Sequence, residues 1–529
     1  MFSSLLGGAD VQSISEKPNI LLVMADQMTA IALSIYGNRV CRTPNIDRLA
    51  GQGSVFDNAY CNYPLCAPSR FALMTGRLPS RIGAFDNASE FPASVPTLAH
   101  YLRDAGYYTC ISGKMHFVGP DQHHGYEDRL TTEIYPADFS WVPPKTYDEL
   151  EAEELKATGA VPFGVSSVET IADAGPLARS QQIDYDDEVA RRAIQHIYDW
   201  RRYGDGRPLF MTVSFTQPHD PYVITRDYWD LYTDEAIDAP RTPAIPLEAM
   251  DPHSRSLYFH YSLDKFEVTD AIYRRARRGY YGMISYIDRK LGELRQTLED
   301  AGIADNTVII FTSDHGDMIG ERGLWFKKNL FDPAIRVPLV LYDPRRQGRK
   351  RIAAPVSLVD VLPTLVELAT GSLDAIVTDH EGGSLLSLMS EDRPDRTVYA
   401  EHLDGGTNAP RVMLRRGPHK LVVSEAYPLQ LYDLARDPGE TRNLADETEW
   451  RETVEALLAG VRKTWDLAGL KQDVMRSQRV RQFVNRAMQK GKLRDWEHYP
   501  DPIREHTKFV RTGERFPEVE RRSYLPYGD

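Results

Sequence analysis

The chain is poor in cysteine and has no excess of positive charge. Its 529 residues include only four cysteines, Cys41, Cys61, Cys66 and Cys110, in no disulfide-like pattern. A disulfide scaffold is therefore excluded, and a reducing compartment is the simpler expectation. The formal net charge is -13 at pH 7. With no basic excess to neutralise phosphates, nucleic acid is excluded as a general partner, although a pocket can still attract a small anion.

The first residues predict no secretory leader, and no run of apolar residues is long enough to span a bilayer. The first ten residues contain no basic side chain, and Asp10 interrupts them. We therefore expect a cytoplasmic protein with no membrane partner. The composition, 42% apolar and 26% charged, is typical of a soluble globular protein. The length suits one large domain and a smaller one.

Three apolar runs end in polar residues. They are Asn19–Ala25, Leu209–Phe215 and Thr307–Ser313, and each is typical of a strand buried on both faces. The polar residues after these runs are Asp26, Gln27, His219, Asp314 and His315. Amphipathic helical segments lie between the runs. The pattern predicts an open α/β sheet whose site lies outside the carboxyl ends of its strands.

The five residues Cys66–Arg70 read Cys-Ala-Pro-Ser-Arg and open a predicted helix that ends at Gly76. Pro68 suits the first turn of a helix, and glycine suits its end. Cys66 then stands at a helix N-terminus, where unpaired N–H groups attract an anion such as sulfate. Arg70 follows one turn later and can reach back to the same place.

The residues after the first and third apolar runs form a candidate metal site. Its predicted ligands are Asp26, Gln27, Asp314 and His315, with position 66 and a substrate oxygen completing the set. Carboxylate and carbonyl oxygens favour Ca²⁺, Mg²⁺ or Mn²⁺. The imidazole shifts our prediction to one Mn²⁺ or Ca²⁺ ion, ahead of Mg²⁺. Asp26-Gln27 alone, or Asp314-His315 alone, would be interpreted as turn or helix-cap residues. Both pairs, however, follow predicted strands of the same apolar type, which favours a shared metal site.

Two lysine and histidine pairs complete the candidate chemistry. Lys114 and His116 follow a strand-like segment, and His219 and Lys327 form a second pair. Hydrolysis of a sulfate ester needs cations for the sulfate oxygens, a proton donor for the leaving alcohol and a base. The adjacent Lys328 is interpreted as a solvated surface residue.

Taken together, these motifs resemble the sulfatases of the alkaline phosphatase superfamily, and among them the choline sulfatases. The matching segments are Cys66–Arg70, Asp86–Asn87, Gly113–Asp121, Tyr135–Phe139, His219–Tyr222, Ser313–Asp317 and the Arg-rich tail. The resemblance implies an α/β fold with a large mixed, mostly parallel sheet flanked by helices. A smaller C-terminal α+β domain with an antiparallel sheet follows it.

The resemblance also implies the chemistry. A formylglycine-generating enzyme would oxidise Cys66 to formylglycine, and the product would hydrolyse choline-O-sulfate or a related alkyl or aryl sulfate. The residues implied to bind sulfate or transfer protons are Arg70, Asn87, Lys114, His116, His219 and Lys327. Trp141 matches an aromatic residue that contacts the organic group, where cation–π contact recognises choline. The metal ligands are those predicted above.

The resemblance is weaker at the organic group. The aromatic-rich segment that choline sulfatases carry after Trp141 is replaced by residues 147–182, and an acidic residue near His402 is also replaced. The identity of the alcohol that the enzyme would release therefore stays open. A phosphonate monoesterase or phosphodiesterase is the alternative enzyme, although such relatives carry hydroxyl side chains at the positions of Lys114 and His116. A non-catalytic binding protein that retains the Cys66 thiol is the alternative of another class.

After about residue 397 the sequence changes to short runs in which apolar and polar residues alternate. We predict a catalytic α/β domain over residues 1–396 and a small α+β domain over 397–470. Residues 471–529 lack the pattern of an independent core and are predicted to form an arm on their own domain or a neighbouring subunit. A homodimer or homotetramer is expected.

Overall fold

A computed structural model describes most of the chain. The described residues are 17–147, 149, 166–346, 350–391, 393–500 and 516–523. Residues 148 and 150–165, which belong to the segment 147–182 predicted to replace the aromatic-rich region, lie outside them. Among the described helices, none combines the length and the apolar character needed to cross a membrane.

The large sheet has eight strands in the order β10-β2-β9-β8-β1-β6-β3-β4. The strands are β1 (Asn19–Ala25), β2 (Ser54–Tyr60), β3 (Tyr108–Gly113), β4 (Asp128–Arg129), β6 (Leu209–Ser214), β8 (Thr307–Ser313), β9 (Leu339–Tyr342) and β10 (Lys350–Ser357). A separate two-stranded sheet contains β5 (Gly175–Pro176) and β7 (Val223–Ile224). In the large sheet only β9 runs antiparallel to its neighbours. The predicted large, mixed and mostly parallel sheet is confirmed.

Helices cover both faces of the large sheet. They are α1 (Pro44–Gln52), α2 (Cys66–Thr75), α3 (Leu98–Asp104), α4 (Val168–Ala172), α5 (Gln181–Tyr203), α6 (Arg226–Trp229), α7 (Pro252–His260), α8 (Asp270–Asp300), α9 (Asp332–Ile335), α10 (Val361–Thr370) and α11 (Leu385–Leu388). Because side chains alternate along a strand, Leu21 packs with α1, α5 and α8, whereas Leu22 packs with α2, α3 and α10. Strands covered on both sides need continuous apolar runs, which is the pattern in the sequence.

The C-terminal region forms a second, antiparallel sheet. Its strands are β11 (Thr397–His402), β12 (Arg411–Arg416), β13 (His419–Ser424) and β14 (Gln430–Asp433), paired in that order. The helices after it are α12 (Arg451–Thr464), α13 (Leu467–Met488) and α14 (Phe516–Ser523). The predicted small α+β unit is confirmed.

The predicted arm begins inside α13 and contacts the catalytic domain. Arg481 forms a two-pronged ion pair with Asp86, at 2.6 and 2.7 Å. Gln482 donates a hydrogen bond to the carbonyl of Pro143 at 2.7 Å. The arm therefore rests on its own catalytic domain over this stretch.

Candidate active site and metal centre

The carboxyl ends of the central strands bring the predicted acidic residues together. The register of β1 and β8 pairs Ala25 with Ser313. Asp26 and Asp314, the next residue of each strand, therefore leave the sheet side by side. The backbone N–H of Gln27 donates to Asp314 Oδ1 at 3.0 Å and joins the two strand ends. All three residues have 0% exposure.

Helix α2 directs Cys66 at these carboxylates. Cys66 is the first residue of the helix and is 1% exposed. Its Sγ lies 3.3 Å from His315 Nε2 and 3.8 Å from Asp26 Oδ1. The backbone N–H of Ala67, in the first turn, donates to Asn87 Oδ1 at 3.0 Å. Asn87 thus fixes the helix end that carries the candidate nucleophile.

Four side chains can hold one metal ion at this point. The ligand atoms of Asp26, Cys66, Asp314 and His315 all lie within 4.8 Å of one another. His315 Nδ1 bonds to the carbonyl of Gly316 at 3.0 Å, which directs Nε2 to the centre, and burial lowers the pKa of this imidazole. Two carboxylates and a neutral imidazole fit a divalent cation.

Gln27, the other predicted ligand, borders this group with its side-chain amide. Its Nε2 donates to Asp220 at 3.1 Å and to Asp317 at 2.6 Å, and its Oε1 accepts from Lys327. Its φ of 64° lies in the left-handed region, which turns the residue sharply out of the strand. The amide therefore links the metal centre to Lys327.

Arg70 and Lys114 neutralise the two carboxylates. Arg70 Nε lies 2.9 Å from Asp314 and its Nη2 lies 3.0 Å from Asp26. Lys114 forms an ion pair with Asp26, and its Nζ stands 4.1 Å from the centre of the Tyr135 ring. Burial alone would raise the pKa of Asp26, but Lys114 and Arg70 outweigh it and hold that pKa well below its usual range. The carboxylate is therefore ionised and ready to bind a cation.

His116 is buried with neither ring nitrogen hydrogen-bonded to a described residue. Its ring packs beside Tyr135 and Trp141, at centroid distances of 4.8 and 5.8 Å, and those two rings lie 4.8 Å apart. Glu133 accepts from its backbone N–H at 2.7 Å and stabilises a backbone φ of 60°. Burial, followed by Lys114, holds the pKa of His116 well below its usual range. A neutral, unpartnered imidazole in a polar pocket is suited to take a proton from a bound ligand.

His219 and Lys327 form the second pair, and Lys327 is also close to Cys66. Lys327 Nζ lies 2.6 Å from His219 Nε2 and 3.8 Å from Cys66 Sγ. His219 Nδ1 bonds to the carbonyl of Asp220 at 2.8 Å, so Nε2 is the nitrogen that faces Lys327. Burial and Lys327 lower the pKa of His219 strongly. Burial would lower the pKa of Lys327 too, but the acidic groups around it, with Cys66 and Asp26 first, raise it.

The expectation for Lys328 was wrong, and other residues of the site had no predicted role. Lys328 is 8% exposed and is not a solvated surface group, because its backbone N–H bonds to the carbonyl of Pro64 and turns the chain inward. Asp317 accepts from Gln27, and Glu133 accepts from the backbone of His116. Asp317 directly follows Asp314-His315-Gly316, and this position could have indicated a site residue. The sequence around Glu133 has no pattern that indicates a role in the site.

Comparisons with known proteins identify the family of the chain. The family model "Sulfatase" matches residues 18–372, and "Choline sulfatase enzyme C terminal" matches residues 472–524. The model "N-sulphoglucosamine sulphohydrolase, C-terminal" matches residues 320–466. A choline-sulfatase of Rhizobium meliloti (strain 1021) is 41% identical over 92% of this chain and 94% of its own length.

Two further relatives widen the comparison. An arylsulfatase of Clostridium perfringens is 29% identical over 83% of this chain and 93% of its own. The solved phosphonate monoester hydrolase of Agrobacterium radiobacter superimposes with a TM-score of 0.66 at 26% identity, covering 87% of this chain and 96% of that one. The matched family model spans most of the catalytic domain, and its strand ends carry the site described above. The chain belongs to the sulfatase family and is a sulfuric ester hydrolase.

Proposed function

We propose that this chain hydrolyses a small organic sulfate ester, choline-O-sulfate or a related alkyl or aryl sulfate, with formylglycine formed from Cys66. The observation that carries the proposal is the position of Cys66. It stands at a helix N-terminus, within 4.8 Å of three candidate metal-ligand side chains and 3.8 Å from Lys327 Nζ. Burial raises the pKa of the Cys66 thiol to about 11, so the unmodified thiol would be a poor nucleophile at neutral pH.

The metal would be held by Asp26, Gln27, Asp314 and His315, together with position 66. We propose Ca²⁺ or Mn²⁺, since the set is dominated by oxygen atoms and has one imidazole. When bound, the ion withdraws charge from the sulfate oxygens and from the nucleophilic oxygen. Arg70 contacts both carboxylates and keeps them aimed at the centre.

Lys114 and His116 are assigned to sulfate binding and to the transfer of a proton from the nucleophile. Formylglycine at position 66 would supply a hydrated aldehyde, with one hydroxyl group as the nucleophile towards sulfur and a second whose deprotonation would break the bond to the sulfate oxygen and restore the aldehyde. Lys114, beside Asp26, binds a sulfate oxygen through its ammonium group. His116 has both ring nitrogens available and accepts the proton of the second hydroxyl.

The opposite pair serves the departing alcohol. Lys327 lies on the far side of Cys66 from Lys114 in this scheme and is hydrogen-bonded to His219. Together they stabilise the leaving oxygen and return a proton to it. Asn87 holds the N-terminus of α2 in place, and Trp141 lines the pocket behind His116.

A phosphonate monoester hydrolase is the second candidate, supported by the solved relative at a TM-score of 0.66. Lys114 and His116 favour the sulfate ester, because the phosphonate monoesterases that the sequence also resembles carry hydroxyl side chains at these two positions. We expect slow turnover of phosphonate or phosphate diesters as a side activity. A preference for an aryl phosphonate monoester over the matching aryl sulfate would reverse this order.

Mass spectrometry and sulfate release test the proposal together. The protein is expressed with and without a formylglycine-generating enzyme, and the peptide containing position 66 is analysed for loss of the thiol. We expect conversion and hydrolysis of 4-nitrophenyl sulfate to rise together, and Cys66→Ala to reduce kcat by at least about 10³-fold. An unmodified thiol in a fully active preparation would contradict the formylglycine step. Full activity of Cys66→Ala would contradict the whole assignment.

A further inference from the structure

Glu133 is a buried carboxylate beside the turn that carries His116. It has 0% exposure. Its Oε2 accepts from two consecutive backbone N–H groups, those of Met115 at 3.0 Å and His116 at 2.7 Å. Its Oε1 accepts from the backbone N–H of Ile134 at 3.0 Å. Hydrogen bonds to an ionised acceptor are stronger than those to a neutral one. Glu133 therefore fixes the backbone from which the His116 imidazole projects.

Arg129 connects this carboxylate to the loop that follows. Its Nη2 lies 2.9 Å from Glu133 Oε2, and its Nη1 donates to the side chain of Gln122 at 2.6 Å. Gln122 donates in turn to the carbonyls of Phe117 and Gly119, at 2.9 and 2.8 Å. All three side chains of this network are buried. The carboxylate, the guanidinium and the amide therefore hold the loop at successive points.

The turn at His116 depends on such support. Its φ of 60° lies in the left-handed region, which is unfavourable for a residue other than glycine. Neither ring nitrogen is hydrogen-bonded to a described residue. Instead, the ring of Tyr135 packs beside the imidazole at a centroid distance of 4.8 Å. Tyr135 stands two residues after Glu133, so one short segment positions both the backbone and the ring of His116.

Lys114, two residues before His116, is held by other contacts. Its ammonium group takes part in the ion pair described above. Its backbone N–H donates to the carbonyl of Ser214 at 3.0 Å, and its own carbonyl accepts from Arg70 at 2.6 Å. These contacts do not pass through Glu133. Loss of that carboxylate should therefore disturb His116 more than Lys114.

We propose that Glu133, supported by Arg129, is a positioning residue for the second step of the reaction. The inference rests on the proposed function, in which His116 acts after the alcohol has left. There it accepts the proton of the second hydroxyl group at position 66, while the bond to the sulfate oxygen breaks and the aldehyde is restored. Glu133 acts through the orientation of His116. Its loss should therefore slow the release of sulfate and spare the departure of the alcohol.

The variant Glu133→Gln tests this prediction with 4-nitrophenyl sulfate. Glutamine keeps the size of the side chain but replaces one acceptor oxygen with an N–H donor. We expect kcat to fall by about 10²-fold, the effect of a misplacement of about 1 Å. The ratio kcat/KM should change little, because it reports the steps up to departure of the alcohol. A first phase of 4-nitrophenol release, equal in amount to the active enzyme, should precede the slow steady rate.

Hydrogen exchange measures the same contact without turnover, on protein that keeps the Cys66 thiol. Glu133→Gln should speed the exchange of residues 113–119 by roughly tenfold, because two amide protons lose an anionic acceptor. Arg129→Lys is the second variant if Glu133→Gln does not fold. Lysine keeps the charge but lacks the planar fork that reaches Gln122 and Glu133 together. It should give the same pattern with a smaller fall in kcat.

Asp186 of α5 offers a matched control, because it is a buried carboxylate with a similar role on another segment. It accepts from the backbone N–H groups of Thr216 at 2.7 Å and Gln217 at 2.9 Å, just before His219. The proposed function assigns His219 to the departing alcohol. Asp186→Asn should therefore lower kcat and kcat/KM together and should not produce the first phase of 4-nitrophenol release.

The results distinguish failure of the positioning role from failure of the proposed function. Equal falls of kcat and kcat/KM in Glu133→Gln would overturn the positioning role, and so would an unchanged kcat or unchanged exchange. The same kinetic pattern in Asp186→Asn would also overturn it, since loss of any buried carboxylate would then suffice. These criteria apply to Arg129→Lys if Glu133→Gln does not fold. A wild-type protein with formylglycine that releases no sulfate would instead remove the proposed function.

Discussion

The two sides of the pocket around Cys66 differ in how their cations are neutralised. On the sulfate side, Arg70 and Lys114 form ion pairs with Asp26 and Asp314, and all four side chains have 0% exposure. At Lys328, which directly follows Lys327, the only hydrogen-bond acceptor that a described side chain offers is the imidazole of His260. The first arrangement consists of direct ion pairs. The second acts over a longer distance, because Asp404 is the carboxylate with the largest electrostatic effect on Lys328.

The difference follows from which elements build each arrangement. Adjacent strand ends and the first turn of α2 supply the sulfate side, so its geometry is set by the sheet register. Loops between secondary-structure elements supply the surroundings of Lys328, including the turn after β11 that contains Gly405. Reaction chemistry on rigid elements and specificity on loops is a common division of labour in enzymes.

The largest expected effect comes from breaking the direct ion pairs at Arg70. Arg70→Met leaves Asp26 and Asp314 buried without their shared partner, and removing one member of a buried ion pair costs about 3–5 kcal/mol. We expect urea unfolding to show a free energy of unfolding lower by about 3–5 kcal/mol. We also expect kcat to fall by at least about 10³-fold. Arg289→Met, which removes an exposed helix pair with Glu293, is the matched control. A loss no larger than that of the control would show that the sulfate side is not held by these charges.

His116 should show the opposite balance between activity and stability. The residue makes no side-chain hydrogen bond to a described residue and has a φ of 60°, a conformation that asparagine tolerates well. We expect His116→Asn to lower kcat by about 10²–10⁴-fold, the usual contribution of a general base. The melting temperature should stay within a few degrees of wild type. A large stability loss with little loss of kcat would assign His116 a structural role instead.

The strand-derived part of the site could be predicted from sequence. Continuous apolar runs indicated strands covered on both faces, and parallel strands in one sheet deliver their following residues to one edge. Asp26 and Asp314 were found in this way. Cys66 and Arg70 were singled out by their Cys-x-Pro-x-Arg motif, and a helix start at this motif places the two residues one turn apart on the same side.

The rest depended on contacts that no local pattern encodes. Lys328 was interpreted as exposed because a lysine beside a functional lysine carries no signal of its own burial. Its environment comes from segments about 70 residues before and after it, around His260 and Asp404. The pair of Arg481 with Asp86 joins residues 395 positions apart. Long-range packing of this kind becomes visible only in the folded chain.

Arg481 offers a smaller perturbation at the border between the two sides. Its planar guanidinium holds both oxygens of Asp86, whose neighbour Asn87 accepts from the N-terminus of α2. Lysine cannot reproduce two parallel hydrogen bonds, so Arg481→Lys should loosen this turn. We expect roughly a tenfold fall in kcat with KM changed little, because the nucleophile is positioned less well. Arg476→Lys on the same helix is the control, and equal effects of the two changes would exclude a positioning role.

The smallest expected effect concerns the arm where Glu497 meets the backbone of Ala137. Glu497 accepts from the backbone of Ala137 at 3.1 Å, and burial raises the pKa of its carboxyl to about 7. The docked arm therefore binds a proton that the free arm releases, so docking weakens as the pH rises from about 4.5 to above 7. His498 acts oppositely, because burial lowers its pKa to about 4 and docking then strengthens between about pH 4 and 6.5.

Substitution separates these two opposing contributions. Glu497→Gln retains His498 but removes the carboxyl group. The arm of this variant should therefore not dock more weakly above about pH 6.5, whereas the wild-type arm should. Hydrogen exchange of residues 490–500 at about pH 6.5 and about pH 8.5 measures docking directly. We expect faster exchange of the wild-type arm at the higher pH, after correction for intrinsic rates, and a smaller change in Glu497→Gln. Equal pH dependence of the two proteins would show that Glu497 does not control this contact.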